Sequence, residues 1–185
     1  MGTILLLLIV AAAAATIWVY NNLVGLRNRV QNAWKQIDVQ LKRRHDLIPN
    51  LVETVKGAME FERDTLMRVM EARARAVAAT GARDSATAEA ALSQALGRLF
   101  AVMENYPQLK ANENVLQMQE EQTTTENQIA FARQYYNDVV EQFNTRQQVF
   151  PANVIARHFG FAPAEYFTGE TRDAELPNVD LHLSR

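Results

Sequence analysis

Cysteine is absent from this sequence, and glycine, proline and histidine are scarce. The 185 residues include seven glycines, five prolines and three histidines, the last at His45, His158 and His182. A chain without cysteine has no disulfide, no thiolate metal site, no cysteine nucleophile and no cysteine that could carry a lipid. A carboxylate di-metal bundle needs a Glu-x-x-His pair on each of two helices, and this spacing does not occur in the sequence. We therefore expect no metal, no cofactor and no catalytic residue.

An excess of basic charge is missing as well. The chain has 19 Lys and Arg residues against 21 Asp and Glu residues, which gives a formal net charge of -2 at pH 7. Nucleic-acid-binding domains usually carry a basic excess or a basic patch. The charge balance therefore gives no indication of a nucleic-acid partner.

The N-terminal segment lacks charge and is strongly apolar. No charged side chain occurs from Met1 to Leu26, and the dense apolar part runs from Ile4 to Tyr20. As a helix, 17 to 20 residues span about 26–30 Å, close to the thickness of the hydrocarbon core of a bilayer. Residues 1–22 are therefore predicted to be a transmembrane anchor. The alternative is a cleaved signal peptide, which is disfavoured because no Lys or Arg precedes the apolar run.

Basic residues follow the predicted anchor. Arg27 and Arg29 are the first of them, and we predict that they form a membrane-proximal basic collar facing anionic headgroups. Because basic residues concentrate on the cytoplasmic side of a membrane span, the rest of the chain is predicted to face the cytoplasm. The lipid bilayer is thus the first expected partner.

The remaining chain has the apolar spacing of amphipathic helices. Residues such as Val30, Ala33, Ile37 and Leu41 recur at intervals of three and four, which is the helical period. The predicted fold is all-α: a transmembrane helix followed by an antiparallel up-down four-helix bundle with long, coiled-coil-like helices. The bundle is predicted over residues 23–162, with helices at about 23–45, 47–79, 85–105 and 112–149, a short helix at 151–158, and an irregular C-terminal tail at 163–185.

Several helix ends have recognisable signals. Asp46 to Pro49 is interpreted as a turn with Pro49 in the first turn of a new helix, although a single kinked helix through Pro49 is the alternative. Gly81 is a candidate C-terminal cap, with the next helix starting near Ser85. Asn112 is a candidate N-cap, and Pro151 is expected to end the long helix that follows.

Polar residues interrupt the apolar face of that long helix. The predicted structural polar layer comprises Gln122, Thr125, Glu126, Arg133 and Asn137. Polar residues at core positions often fix register or partner choice, and a binding site is the other interpretation. Arg133 is predicted to pair with Asp38 or Asp46. Arg44, near these acidic residues, is expected on a solvated face.

Several longer segments carry a specific resemblance. They are Asp46-Leu47-Ile48-Pro49-Asn50-Leu51-Val52-Glu53-Thr54-Val55-Lys56-Gly57, Tyr106-Pro107-Gln108-Leu109-Lys110-Ala111-Asn112, Thr125-Glu126-Asn127-Gln128-Ile129-Ala130-Phe131-Ala132-Arg133-Gln134-Tyr135-Tyr136-Asn137-Asp138 and Phe159-Gly160-Phe161. Together they resemble the bacterial LemA family over nearly the whole chain. The sequence departs from the family at Ala58 and Phe61, where an aromatic residue and a histidine are more common.

The resemblance implies a helical bundle in the bacterial inner membrane without established enzymatic activity. A magnetosome-membrane protein of the same family suggests membrane organisation as one theme. The function expected from this sequence is a membrane-tethered scaffold for protein partners that the sequence does not identify, with homo-oligomerisation as one route. A signalling or sensor subunit is the alternative, and a metal-dependent enzyme is the least favoured reading. Tyr135, which flanks the apolar face, is a candidate interface residue.

Overall fold

All regular structure in the described residues is helical. The structure, a computed structural model, describes residues 1–168. It contains α1 (Gly2–Lys56), α2 (Arg63–Ala78), α3 (Ala82–Met103), α4 (Pro107–Lys110), α5 (Glu113–Gln148) and α6 (Ala152–His158), with a 3-10 turn at Glu60–Glu62 before α2. Since residues 1–168 contain no strand, the predicted all-α class is confirmed.

The first part of α1 is apolar and has few protein neighbours. Over its first part, the side chains up to Trp18 are exposed, and α1 is long and apolar enough, by length and composition, to cross a membrane. An apolar helix that the protein itself does not bury is typical of a membrane span. The prediction of one long apolar N-terminal helix is confirmed to this extent.

The predicted turn at Asp46 to Pro49 is wrong, because α1 continues through Pro49 as a single helix. Proline has no N–H, so the carbonyl four residues earlier, that of His45, loses its helical partner. The side chain of Arg73 on α2 replaces that partner: its Nε donates to the His45 carbonyl oxygen at 2.6 Å. The chain instead reverses between Gly57 and Arg63, and α2 starts at Arg63 rather than at residue 47.

The structure corrects the prediction for Gly81 and confirms the prediction for Asn112. Gly81 adopts a φ of 82° and directly precedes α3, so it is not the cap of α2, which ends at Ala78. This left-handed conformation suits glycine, and it lets α3 begin at Ala82 rather than near residue 85. The Asn112 cap is confirmed, since its side-chain oxygen accepts from the amides of Asn114 and Val115 at 3.0 and 3.3 Å.

The two longest helices, α1 and α5, pack against each other. The Trp34 ring lies 5.6 Å from that of Tyr136, and the Thr54 hydroxyl lies 3.7 Å from the sulfur of Met118. As the residue numbers rise along α1 they fall along α5, so these two helices run in opposite directions where they touch. The complete antiparallel four-helix bundle remains a prediction.

Two main apolar clusters divide the interior along α1. The distal core, away from the predicted anchor, has as its larger buried members Ile48, Leu51, Val55, Met59, Leu66, Val69, Leu92, Leu96, Leu99, Met103, Leu109 and Val115. The anchor-side core comprises Val30, Ala33, Ile37, Leu41, Ala82, Ala86, Ile129, Tyr136, Val139, Val140, Phe143 and Phe167. A third, small cluster joins α6 to α1 through Val19, Leu23, Ala152 and Ala156.

The segment after α6 has no regular secondary structure but is packed. Phe167 is 1% exposed and belongs to the anchor-side core. The predicted boundary at residue 162 is therefore too early, because the buried phenylalanine fastens residues 163–168 to the helices. The rest of the predicted tail, residues 169–185, lies outside the described residues.

Candidate functional site

A buried ionic cluster separates the two apolar cores. Arg44 on α1 donates from Nη1 to Glu89 Oε2 on α3 at 3.1 Å, and from Nη2 to the Ser93 hydroxyl at 2.8 Å. His45 Nε2 lies 2.6 Å from the other carboxylate oxygen of Glu89. The side chains of Arg44 and Glu89 are only 4% and 6% exposed. We call Arg44, His45, Glu89 and Ser93 the ionic cluster.

Helical spacing explains why these side chains point inward. Arg44 and His45 follow Leu41 by three and four residues, and Glu89 stands between Ala86 and Leu92 on the buried face of α3. Each charged residue therefore lies on the apolar face of its own helix. The expectation that Arg44 lies on a solvated face is wrong. The sequence contained a signal for Glu89, a carboxylate in step with the buried residues of α3, but none that linked it to Arg44.

The geometry of the cluster suits structure better than catalysis. A nucleophilic serine needs a base within hydrogen-bond reach, but the Ser93 hydroxyl is bonded to Arg44 rather than to His45. Within residues 1–168, no group of three or more His, Asp and Glu side chains could hold a metal ion. A buried pair of this kind contributes little net stability, yet removing one partner strands a charge in the interior and costs about 3–5 kcal/mol.

Two residues of the predicted polar layer lie level with the ionic cluster. Gln122 and Thr125 are buried on α5, and the register of the α1–α5 contact places residues 122–125 beside residues 45–50 of α1. The Thr125 hydroxyl donates to the carbonyl of Glu121 at 2.8 Å, while Nε2 of Gln122 has no partner among the described residues. Glu126 faces solvent. The role of these residues as a structural layer remains a prediction.

Two asparagines on α5 hold the C-terminal segment. Asn137 accepts from the Phe167 amide at 2.8 Å and donates to the Phe167 carbonyl at 3.3 Å. Asn144 makes the same pair of bonds with Ala164, at 2.8 and 2.9 Å. We call this arrangement the asparagine clamp. Asn137 was predicted to be a polar-layer residue. In the structure, both polar atoms of its side-chain amide bond to the backbone of Phe167.

Tyrosine and tryptophan side chains complete this docking site. The Tyr136 hydroxyl donates to the carbonyl of Glu165 at 2.8 Å, and the ring of Trp34 lies 6.0 Å from that of Phe167. Burial raises the pKa of the Tyr136 hydroxyl above its usual value of 10.0, and the charge of Glu165 raises it further. The neutral phenol is therefore the form that fits the docked segment.

Arg133 does not form the predicted ion pair. Its guanidinium carbon lies 4.9 Å from the centre of the Phe167 ring, and no ion pair with Asp38 or Asp46 occurs among residues 1–168. Burial lowers the pKa of Arg133, and the charge of Glu89 partly offsets this effect. The prediction is wrong because Arg133 lies over the Phe167 ring of the docked segment, a partner that helix spacing does not indicate.

The predicted basic collar lies just beyond the apolar part of α1. Arg27 and Arg29 are both exposed. The Arg27 guanidinium lies 5.3 Å from the centre of the Phe161 ring, a distance suited to a cation–π contact. Whether the two residues contact lipid remains a prediction.

An exposed apolar patch lies across α1 and α5. Val39, Phe131 and Tyr135 are 63%, 73% and 48% exposed, and together they line a groove of about 670 Å³. We call these three residues the lateral patch. An exposed cluster of large apolar side chains marks an interaction surface more often than scattered single residues do, so Tyr135 lies where an interface residue was predicted.

Comparison with known proteins gives consistent matches. The sequence model of the LemA family matches residues 33–181. Protein LemA from Metamycoplasma hominis is 26% identical over 165 residues, which covers 89% of this chain and 74% of that protein. The magnetosome proteins MamQ 1 and MamQ 2 from Paramagnetospirillum magneticum are each 26% identical over 80% of this chain. The alignment covers 64% of each of these two proteins, so the chain spans just under two thirds of their length.

Proposed function

This chain belongs to the LemA family, and we propose that it is a non-enzymatic, membrane-tethered scaffold that organises membrane-associated partners through contacts between copies of itself. The matched family and relatives indicate no catalytic activity. Two of the relatives are named as magnetosome proteins, which is compatible with a role at a membrane. The apolar start of α1 acts as a single-pass anchor in the inner membrane of a bacterium.

The architecture in this proposal is the antiparallel four-helix bundle expected from sequence. The opposite directions of α1 and α5 support it, as does the packing of α2 against α3. Because α1 is unbroken from Gly2 to Lys56, 55 residues at 1.5 Å each give a rod of about 80 Å. A rod of this length carries a binding surface well away from the bilayer.

The lateral patch is the observation on which the scaffold proposal depends. Contact between its three apolar side chains and water is unfavourable. Burying them against another protein gains about 25 cal/mol per Å² of apolar surface. Both helices that carry the patch extend along the rod, so two anchored copies standing side by side present the same surface to each other. Such a self-complementary contact is the usual arrangement of homodimers.

Crosslinking in native membranes tests this proposal, and the absence of cysteine makes every introduced thiol unique. Tyr135→Cys is compared with Val77→Cys, which lies on α2 and is similarly exposed. A short bis-maleimide is expected to link copies through position 135 and not through position 77. Adding Phe131→Ser should reduce the dimer band several-fold. Equal crosslinking at both positions, or none at position 135, would contradict a lateral interface.

The cytoplasmic location of the bundle is part of the proposal. Arg27 and Arg29 follow the anchor, which favours the cytoplasmic side. Glu120→Cys places a thiol at an exposed site on α5. In intact spheroplasts, a membrane-impermeant maleimide should leave this thiol unlabelled until the membrane is opened. Labelling in intact cells would reverse the orientation but leave the scaffold proposal in place.

A sensor subunit is the second candidate, and one observation favours it. The same unbroken helix contains both the anchor and the ionic-cluster residues Arg44 and His45. A shift in this cluster would therefore reach the membrane without crossing a flexible joint. A sensor requires two stable arrangements of the bundle, so distance measurements between spin labels should then resolve two populations. A single distance under all conditions would favour the scaffold.

A further inference from the structure

The turn between α5 and α6 lies at the level where the predicted membrane span ends. The Arg146 guanidinium, near the end of α5, lies 5.7 Å from the centre of the Trp18 ring. After the turn, α6 packs Ala152 and Ala156 against Val19 and Leu23 of α1. The last turns of the predicted anchor are therefore covered by protein rather than by lipid alone.

The chain runs toward the membrane along α5 and away from it after α6. Phe161 packs against Phe143, with ring centres 6.4 Å apart, and it also lies next to Arg27. Arg146 is level with Trp18, while Phe161 lies between Tyr20, 5.8 Å from ring to ring, and Arg27. The intervening turn is therefore the part of the bundle nearest the anchor. Residues 149–151 form its tip.

The length of the apolar run brings the bilayer surface to the same level. The run begins at Ile4, and a hydrocarbon core of about 30 Å takes about twenty helical residues. The hydrocarbon boundary therefore falls between Tyr20 and Leu23, beside α6. A bilayer with this boundary would meet the tip of the α5–α6 turn.

The side chains at this tip suit the bilayer interface. Phe150 is 78% exposed and Val149 is 48% exposed. Val154 on α6 and Phe159 directly after α6 are also exposed, and the Phe159 ring lies 4.9 Å from that of Tyr20. An exposed cation is present on the same helix, since Arg157 lies in the last turn of α6. In the described residues, the buried Nε of Arg146 has no hydrogen-bond partner. Apolar side chains flanked by basic groups are typical of elements that lie in the headgroup region.

We infer that the α5–α6 turn is a second membrane contact, with Val149 and Phe150 inserted among the acyl chains beside the anchor. Arg157, beside Ala156 at the level of Leu23, faces the phosphodiester groups of the lipids, while Arg146 stays against the Trp18 ring. The occupant of this apolar surface is a phospholipid bilayer, because the surface is continuous with the span that the bilayer already surrounds. The contact fixes the bundle relative to the membrane at two points and so holds the rod at a defined tilt. This inference rests on the membrane anchor of the proposed function.

Environment-sensitive labels test this inference in the full chain, reconstituted in phospholipid nanodiscs at one copy per disc. Phe150→Cys, Phe61→Cys and Ile9→Cys each receive an NBD label. Phe61 is the matched control, an aromatic that is 94% exposed at the opposite end of α1, and Ile9 reports the anchor. We expect the emission at position 150 to shift to the blue nearly as far as at position 9, and to be quenched by brominated lipids. Emission at position 61 should remain that of a label in water.

Each remaining outcome overturns a distinct claim. A shifted label at position 9 with an aqueous label at position 150 would refute the second contact and leave the anchor intact. Aqueous labels at both positions would refute the anchor itself. A shift at position 150 that appears only with two copies per disc would assign the surface to a second copy of the chain. Helical circular dichroism of each labelled variant confirms that it has folded.

Discussion

The distal core and the anchor-side core are built from different kinds of contact. Most of the distal core comes from three consecutive helices, α1 to α3, joined by the short connections at Gly57–Glu62 and Ala79–Gly81; Leu109 of α4 and Val115 of α5 complete it. The anchor-side core instead brings α1 against α5, about a hundred residues later, and is closed by Phe167. Local contacts form at a lower entropic cost than distant ones. The distal half should therefore be the more independent unit. We expect the ionic cluster, which lies between the two cores, to couple them together with the unbroken helices α1 and α5.

Glu89→Ala is expected to have the largest effect, because it leaves Arg44 buried without a counter-charge. The free energy of unfolding should fall by about 3–5 kcal/mol. Thermal unfolding followed by circular dichroism measures the loss, and hydrogen exchange shows whether protection falls in both cores. Protection lost from only one core would mean that the cluster does not couple them.

A control variant and a double variant separate the effect of the buried charge of Glu89 from the effect of its packing. Glu71→Gln removes an exposed carboxylate from α2 and should change stability by less than about 0.5 kcal/mol. Replacing Arg44→Met together with Glu89→Leu should recover part of the loss, since apolar residues of similar size need no counter-charge. The recovery should be incomplete because His45 also loses the carboxylate of Glu89. A double variant as unstable as Glu89→Ala would show that packing rather than charge sets the effect.

Arg73→Met tests how the structure tolerates proline inside α1. Without the guanidinium, the His45 carbonyl loses the bond that Arg73 supplies, which should cost about 1–3 kcal/mol. In a Pro49→Ala background the alanine amide can bond to that carbonyl, so the same change should cost much less. A thermodynamic cycle of the four proteins measures the difference. Equal losses in both backgrounds would show that Arg73 does not compensate for Pro49.

The predictions from sequence succeeded where the determining contacts are local in the chain and failed where they join distant residues. The helical period, the Asn112 cap and the stop before Pro151 depend on neighbouring residues, and these predictions are confirmed. The turn predicted at Pro49 failed because the freed carbonyl of His45 is bonded by Arg73, which lies 28 residues after His45. The partner of Arg44 lies 45 residues away. Neither pairing can be read from local spacing, because each joins residues on different helices.

Asn144→Ala tests the anchor-side half alone. It removes both bonds to Ala164 and should lower stability by about 1–2 kcal/mol. Hydrogen exchange should increase in residues 161–168 while the distal core keeps its protection. Asn127→Ala, an exposed position on the same helix, is the control and should leave exchange unchanged. Faster exchange in the distal core would show that the docked segment supports the whole molecule.

Alkaline pH should destabilise each half through a different tyrosine. This loss of stability should be smaller than those expected from the substitutions above. Burial raises the pKa of Tyr136 above 10.0 in the anchor-side half. Burial, together with the nearby carboxylate of Glu62, raises the pKa of Tyr106 in the distal half. Each hydroxyl therefore stays protonated to a higher pH in the folded state than in the unfolded state. Its contribution is therefore complete below about pH 10 and is lost as the pH rises through the folded pKa.

The two tyrosines can be distinguished by where the protein opens. Ionised Tyr136 can no longer donate to the Glu165 carbonyl, so alkaline exchange should rise first in residues 161–168. Tyr136→Phe should abolish the pH dependence of exchange in residues 161–168. Tyr106→Phe should leave it intact there and should abolish the pH dependence of exchange around Glu62. If either substitution removed the pH dependence in both regions, the two cores would unfold as one unit. The greater independence of the distal half would then be wrong, because the ionic cluster would couple the cores too tightly for either to open alone.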